Sequence, residues 1–108
     1  MTEDYNGWTN RETWATMLHI DNDQGLYEMA REYAKEEIEN HDQGETINPY
    51  YLGERLKSWL ENDLLTYENV IQSEGLWLML TDIGSLYRVN WREIADYLIT
   101  SIKEEVSA

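Results

Sequence analysis

Apolar positions recur at three- and four-residue steps along nearly the whole chain, and polar capping residues divide that pattern into helices. Thr9-Asn10-Arg11-Glu12 fits a capping box: the Thr9 hydroxyl accepts from the Glu12 amide and the Glu12 carboxylate reaches back. Trp14, Met17 and Leu18 then form a short apolar face, and Asp21-Asn22-Asp23 stops the first helix. A longer helix is predicted from Gln24 to Asn40, with Leu26, Met29, Ala30, Tyr33, Ala34 and Ile38 on its inner face. His41 to Ile47 reads as a polar loop. Asn48 before Pro49 starts a third helix, because proline at the first helical position gives up only an unpaired donor. Leu52, Leu56, Trp59 and Leu60 hold its spacing to about Asn62.

Thr66 to Leu86 is less regular; Gly75 is expected to divide it, with Leu76, Met79, Leu80 and Ile83 facing inward beyond the break. Asn90-Trp91-Arg92-Glu93 is a second capping box. It opens a final helix with Trp91, Ile94, Ala95, Leu98, Ile102 and Val106 on one face. No segment alternates with period two, apart from a short extended piece near Tyr5. The expectation is all-α: residues 1–108 as a single acidic helical domain, a compact bundle of about five helices.

Composition narrows the function classes. The 108 residues carry 22 acids against 8 lysines and arginines, a formal charge of -14, with 42% hydrophobic residues and no cysteine. That apolar share supports a packed core rather than a disordered acidic tail. The missing cysteine excludes disulfides, a thiolate nucleophile and cysteine-based metal sites. No apolar run approaches the ~20 residues that cross a bilayer. Such a charge repels nucleic acid and anionic membranes, so neither is an expected direct partner.

Candidate chemistry is sparse. Asp21, Asp23 and Glu32 stand at positions one, three and twelve of a calcium loop, but Leu26 occupies the sixth, where the turn needs glycine. The simpler reading has Asp21 and Asn22 ending one helix while Asp23 caps the next. His19 and His41 lie apart from any metal-ligand pair; His41 can instead meet the last carbonyls of its helix. No phosphate-cradling loop or nucleophile elbow occurs, so no catalytic residue, cofactor or metal is expected. Trp14, Trp59, Trp77 and Trp91 read as core. Trp8 reads as a staple onto the first helix near Thr13 or Trp14, with an exposed partner anchor as the alternative.

Charge patterning is the most unusual feature. From Asp21 to Glu45 there are nine acids and two bases, half of the net charge. Glu28, Glu32, Glu36 and Glu39 form one stripe on the second helix; Glu37 adjoins it, and Asp42 and Glu45 extend it. Helical rise sets the members about 6 Å apart along the axis. A carboxylate row at that spacing approximates a strand of DNA phosphates, although a solvated or salt-adapted face has the same pattern.

Asn6-Gly7-Trp8-Thr9-Asn10-Arg11-Glu12-Thr13-Trp14, then Asp21-Asn22-Asp23, then Val89-Asn90-Trp91-Arg92-Glu93-Ile94-Ala95 carry a resemblance. Together they are similar to a group of small uncharacterised proteins of bacteriophages and other mobile elements, with an N-x-E-T-W start and an N-W-x-E-I-A end. The resemblance implies a mobile gene acting in the cytoplasm of a bacterial host, and brings no catalytic residue with it. Asn6, Asn10 and Thr13 exceed what a cap needs and can tie the N-terminal segment to the bundle.

The expected function is inhibition of a host defence system, of the anti-restriction or anti-CRISPR kind. The chain would act by binding a basic, nucleic-acid-handling protein through Glu28, Glu32, Glu36, Glu37, Glu39, Asp42 and Glu45. Two alternatives stand beside it. One is a small-ligand binder, such as a signalling-nucleotide sponge, with aromatic stacking in a pocket or homodimer interface and Arg55, Arg88 or Arg92 converging on the phosphate. The other is a structural or assembly protein of the mobile element.

Overall fold

The computed structural model describes residues 7–41 and 47–107, with the side chains of Val106 and Ser107 excepted. The expected extended piece near Tyr5, the tie through Asn6, the acids Asp42 and Glu45 and the inward side chain of Val106 lie outside the described residues. Six α-helices follow in order: α1 Arg11–Asn22, α2 Gln24–Glu39, α3 Pro49–Ser58, α4 Tyr67–Gln72, α5 Glu74–Ile83 and α6 Trp91–Ser107. Among the described residues there is no β-strand, and the all-α bundle expected from the periodicity is what forms.

Local chemistry sets each boundary. The Asp23 carboxylate accepts from Leu26 N–H at 3.0 Å and caps α2, while the Asp23 N–H donates back to the Ile20 carbonyl and closes α1. Asn48 caps α3 through Tyr50 N–H, with Pro49 in the first turn. The end of α3 widens into a π-helical turn, Trp59–Leu64, closed by Leu65 N–H on the Leu60 carbonyl at 2.8 Å. Asn69 Nδ2 donates to the carbonyls of Asp63 and Leu64, which that turn leaves open.

The break expected at Gly75 falls at Ser73 instead, whose hydroxyl accepts from Leu76 N–H and caps α5. Capping decides this point, because serine supplies the acceptor that a helix start needs and Gly75 supplies none. The hairpin of α4 and α5 therefore adds the sixth helix. At the other end of α5, Gly84 holds φ +80°, and its N–H donates to the Leu80 carbonyl.

The core is a continuous apolar layer in which α6 packs on α3 and α2, and α1 packs on α2 and α5. Ile20, Leu52, Leu56, Leu60, Met79, Ile83, Ile94 and Leu98 are fully buried. Ala30 and Ala34, one turn apart and wholly buried, bring α2 close to its neighbours, whereas Met29 beside them is 47% exposed. The inner face of α2 is thus narrower than its apolar pattern, because two alanines leave no depth for a longer side chain next to them. Trp59 and Trp91 are buried and Trp14 half-buried, but Trp77 is 53% exposed, against its expected core position. Met79 and Ile83 fill the space under α5 and leave Trp77 on the outer side.

At the crossing of α3 and α6, Gly53 is buried, and a Cβ there would lie 3.1 Å from the carbonyl carbon and oxygen of Trp91 and 3.2 Å from Arg92 N. An alanine at an open helical position stabilises by about 1 kcal/mol relative to glycine. Here the contacts are backbone atoms of a capped helix, so Gly53→Ala is expected to destabilise by about 1–2 kcal/mol in chemical denaturation. A gain in stability would mean that the two helices are not held at this distance.

Candidate functional site

Both sequence motifs converge at the start of α6. Asn10, not Thr9, caps α1: its Oδ1 accepts from Thr13 N–H at 2.8 Å and from the Thr13 hydroxyl at 2.7 Å. Asn90 caps α6 through Glu93 N–H at 3.1 Å. Neither helix closes its own capping box. Glu12 turns to Arg88, 3.7 Å away, and Glu93 accepts from Thr9 N–H at 3.0 Å. Asn90 N–H, which a local box would give to Glu93, donates to Thr13 Oγ1 at 2.8 Å. Asn10 Nδ2 adds a bond to the Arg88 carbonyl at 2.9 Å. The two motifs are one cross-stitched joint, in which Asn10 and Thr13 tie the N-terminal segment to α6.

The acidic stripe lies on the outer side of α2, where Glu28, Glu32, Glu36 and Glu39 are all exposed. Glu28 accepts from Gln24 Nε2 at 3.0 Å. Glu36 pairs with Arg55 at 2.9 Å, and the Arg55 guanidinium also lies 4.8 Å from the centre of the Tyr33 ring. Lys35 is exposed between the members of the stripe and leaves one positive charge within it. Arg31, the other base of α2, is turned away into an ion pair with Glu105 on α6, its guanidinium 5.3 Å from the Tyr27 ring centre. The row therefore loses half of its own basic residues to packing.

Glu37 does not join this surface. It is 9% exposed and continues the buried line of Ala30 and Ala34, with His41 Nδ1 3.7 Å from its carboxylate and 2.7 Å from its carbonyl oxygen. At 100° per residue it stands about 140° around the helix from Glu32. Adjacency in sequence to Glu36 hid that rotation.

The three arginines named for a nucleotide site have separate surroundings. Arg55 is held by Glu36 and Tyr33, Arg88 by Glu12, and Arg92 is exposed at the first turn of α6. An aromatic cavity does exist, of about 570 Å3, between the N-terminal segment and α6. Trp8 and Tyr97 line it with ring centres 5.3 Å apart at 61°, together with Glu93, Asp96, Thr100, Ser101 and Glu104. The described residues around it include three carboxylates and no base. Trp8 thus staples the segment to α6, 89 residues along the chain, rather than to α1. Its partner Tyr97 has no signal near Trp8 in sequence.

Elsewhere, His19 Nε2 and Arg11 both meet the Asp82 carboxylate, at 2.9 and 3.0 Å, and link α1 to α5. Desolvation raises the Asp21 carboxyl above its usual range, so its ionisation at neutral pH opposes folding slightly and protonation relieves the cost. Among the described residues no group of three or more acids and histidines is arranged to hold a metal. No described helix is long and apolar enough to cross a membrane. The α4–α5 hairpin leaves Tyr67, Ile71, Trp77 and Leu78 exposed.

Neither the curated proteins nor the solved structures contain a match to the chain. A family model described as a family of unknown function, DUF7249, matches residues 1–106. The chain, matched over nearly its whole length, belongs to that family.

Proposed function

We propose that the protein is a phage or mobile-element accessory factor that inhibits a host defence system by occupying the nucleic-acid channel of a basic host protein. The observation that supports this reading is the row Glu28, Glu32, Glu36 and Glu39, exposed together on α2 of a chain with net charge -14. Such a field accelerates encounter with a positive channel and competes for it. The motif resemblance supplies the mobile-element context and, with it, the bacterial cytoplasm as the place of action. The mechanism is non-enzymatic: carboxylates stand in for phosphates, and Asp42 and Glu45 extend the row by sequence.

Arg55 and Arg88 are each engaged by a carboxylate, which counts against the signalling-nucleotide reading in which they would converge on a phosphate. The exposed apolar side chains of the α4–α5 hairpin favour the remaining alternative, an assembly protein that pairs with itself or a partner through that surface.

Replacing Glu28, Glu32, Glu36 and Glu39 by Gln keeps side-chain size and helix propensity. Relief of like-charge repulsion, about 0.2–0.5 kcal/mol per pair, is set against loss of the exposed Glu36–Arg55 pair, so stability should stay within about 1 kcal/mol. Association with the captured basic partner should slow by about tenfold at low salt, and the difference should vanish as salt rises. Single replacements should each change the rate only slightly. Full-speed binding by the quadruple variant at low salt would remove the row from the mechanism.

A further inference from the structure

The cavity between Trp8 and Tyr97 has the chemistry of a cation site, distinct from the α2 row. Its two rings meet edge to face, with centres 5.3 Å apart, and Tyr97 remains 45% exposed. Glu93, Asp96, Thr100 and Glu104 follow at helical steps along α6, so one face of the helix presents carboxylates and hydroxyls beside the aromatic corner. Eleven residues separate the first and last of these acids, a span of about 16 Å. Glu93 is half-buried and accepts Thr9 N–H through Oε1, whereas Asp96 and Glu104 are exposed and enter no ion pair among the described residues. The volume, about 570 Å3, falls in the range of small-molecule sites.

An anion is repelled by every charged side chain that lines this space among the described residues, and a neutral apolar ligand would have to cover carboxylates. A flexible organic cation meets both halves of the lining. Its charge lies against the aromatic rings and the acids, and its methylene groups cover the ring edges. We propose that the Trp8–Tyr97 cavity binds an extended organic cation, an alkylammonium or guanidinium group, either as a free polyamine or as a basic side chain of a protein. The inference stands apart from the proposed function, because it uses none of the α2 glutamates.

The test is a calorimetric titration of the full chain with spermidine, and separately with a short lysine-arginine peptide, with magnesium at matched ionic strength as a non-specific control. Saturable binding of either probe above the magnesium control is expected. Spermidine alone binding would identify a free amine as the ligand, and the peptide alone a protein side chain. Trp8→Leu and Tyr97→Leu keep apolar bulk at the joint and should each weaken binding about 3–10-fold. Asp96→Asn with Glu104→Gln, both exposed, should weaken it tenfold or more. The α2 quadruple glutamine variant should weaken spermidine binding far less than these cavity changes do. Equal binding by wild type and the aromatic variants would overturn the proposal. So would equal weakening by the α2 variant, or no binding of either probe beyond magnesium.

Discussion

Trp91→Ala is expected to cost about 3–5 kcal/mol in chemical denaturation. Trp91 is 8% exposed and belongs to the main apolar cluster, at the point where α6 begins and α3 crosses it closely at Gly53. Truncation there removes the ring and opens a cavity between two helices that cannot collapse, because capping bonds fix the start of α6. The indole N–H is buried and has no hydrogen-bond partner among the described residues. Trp91→Phe therefore deletes an unsatisfied donor along with some packing, and should cost much less than the alanine change, about 1–2 kcal/mol. A loss below about 1 kcal/mol for Trp91→Ala would mean that the ring is not in the core.

Asn10→Ala should cost about 2–3 kcal/mol, more than the ~1 kcal/mol typical of a lost cap. Its side chain accepts from Thr13 twice and donates to the Arg88 carbonyl, so one truncation frees a helix start and loosens the tie to α6. Thr9→Ala gives the contrast. Thr9 enters the joint through its backbone N–H, which alanine keeps, so the change should stay within about 0.5 kcal/mol. If Thr9→Ala were the costlier of the two, the local capping box would be the true cap.

These two positions show what the sequence could and could not reveal. Capping chemistry is local, so Asp23, Asn48 and Asn90 announced their helices correctly. The reciprocal half of a capping box is also open to tertiary competition, and here Thr13 and Glu93 each serve the other motif's backbone. Asn10 and Thr13 carried the clue, since their polarity exceeded what one helix start requires. Periodicity placed Leu52, Leu56, Ile94 and Leu98 in the core, because long apolar faces average over small errors in phase. It misplaced Met29 and Trp77, where burial depends on how closely a neighbouring helix approaches.

The candidate site was half legible. Four glutamates at three- and four-residue steps share a face by geometry alone, and they do so in the fold. Glu37 looked like their neighbour in sequence and is instead buried beside His41. The acidic aromatic cavity was out of reach, because Trp8 and Tyr97 meet only through the joint that closes the N-terminal segment onto α6.

The most direct measurement for the proposed function is competition by DNA. Wild-type protein and the α2 quadruple glutamine variant are immobilised and exposed to bacterial lysate at low salt. The proteins retained are then challenged with short duplex DNA and identified. If the acidic row substitutes for phosphates, wild type retains a nucleic-acid-handling protein that duplex DNA releases, and the variant fails to retain it. Retention of the same proteins by both baits, undisturbed by DNA, would contradict the proposed role of the row.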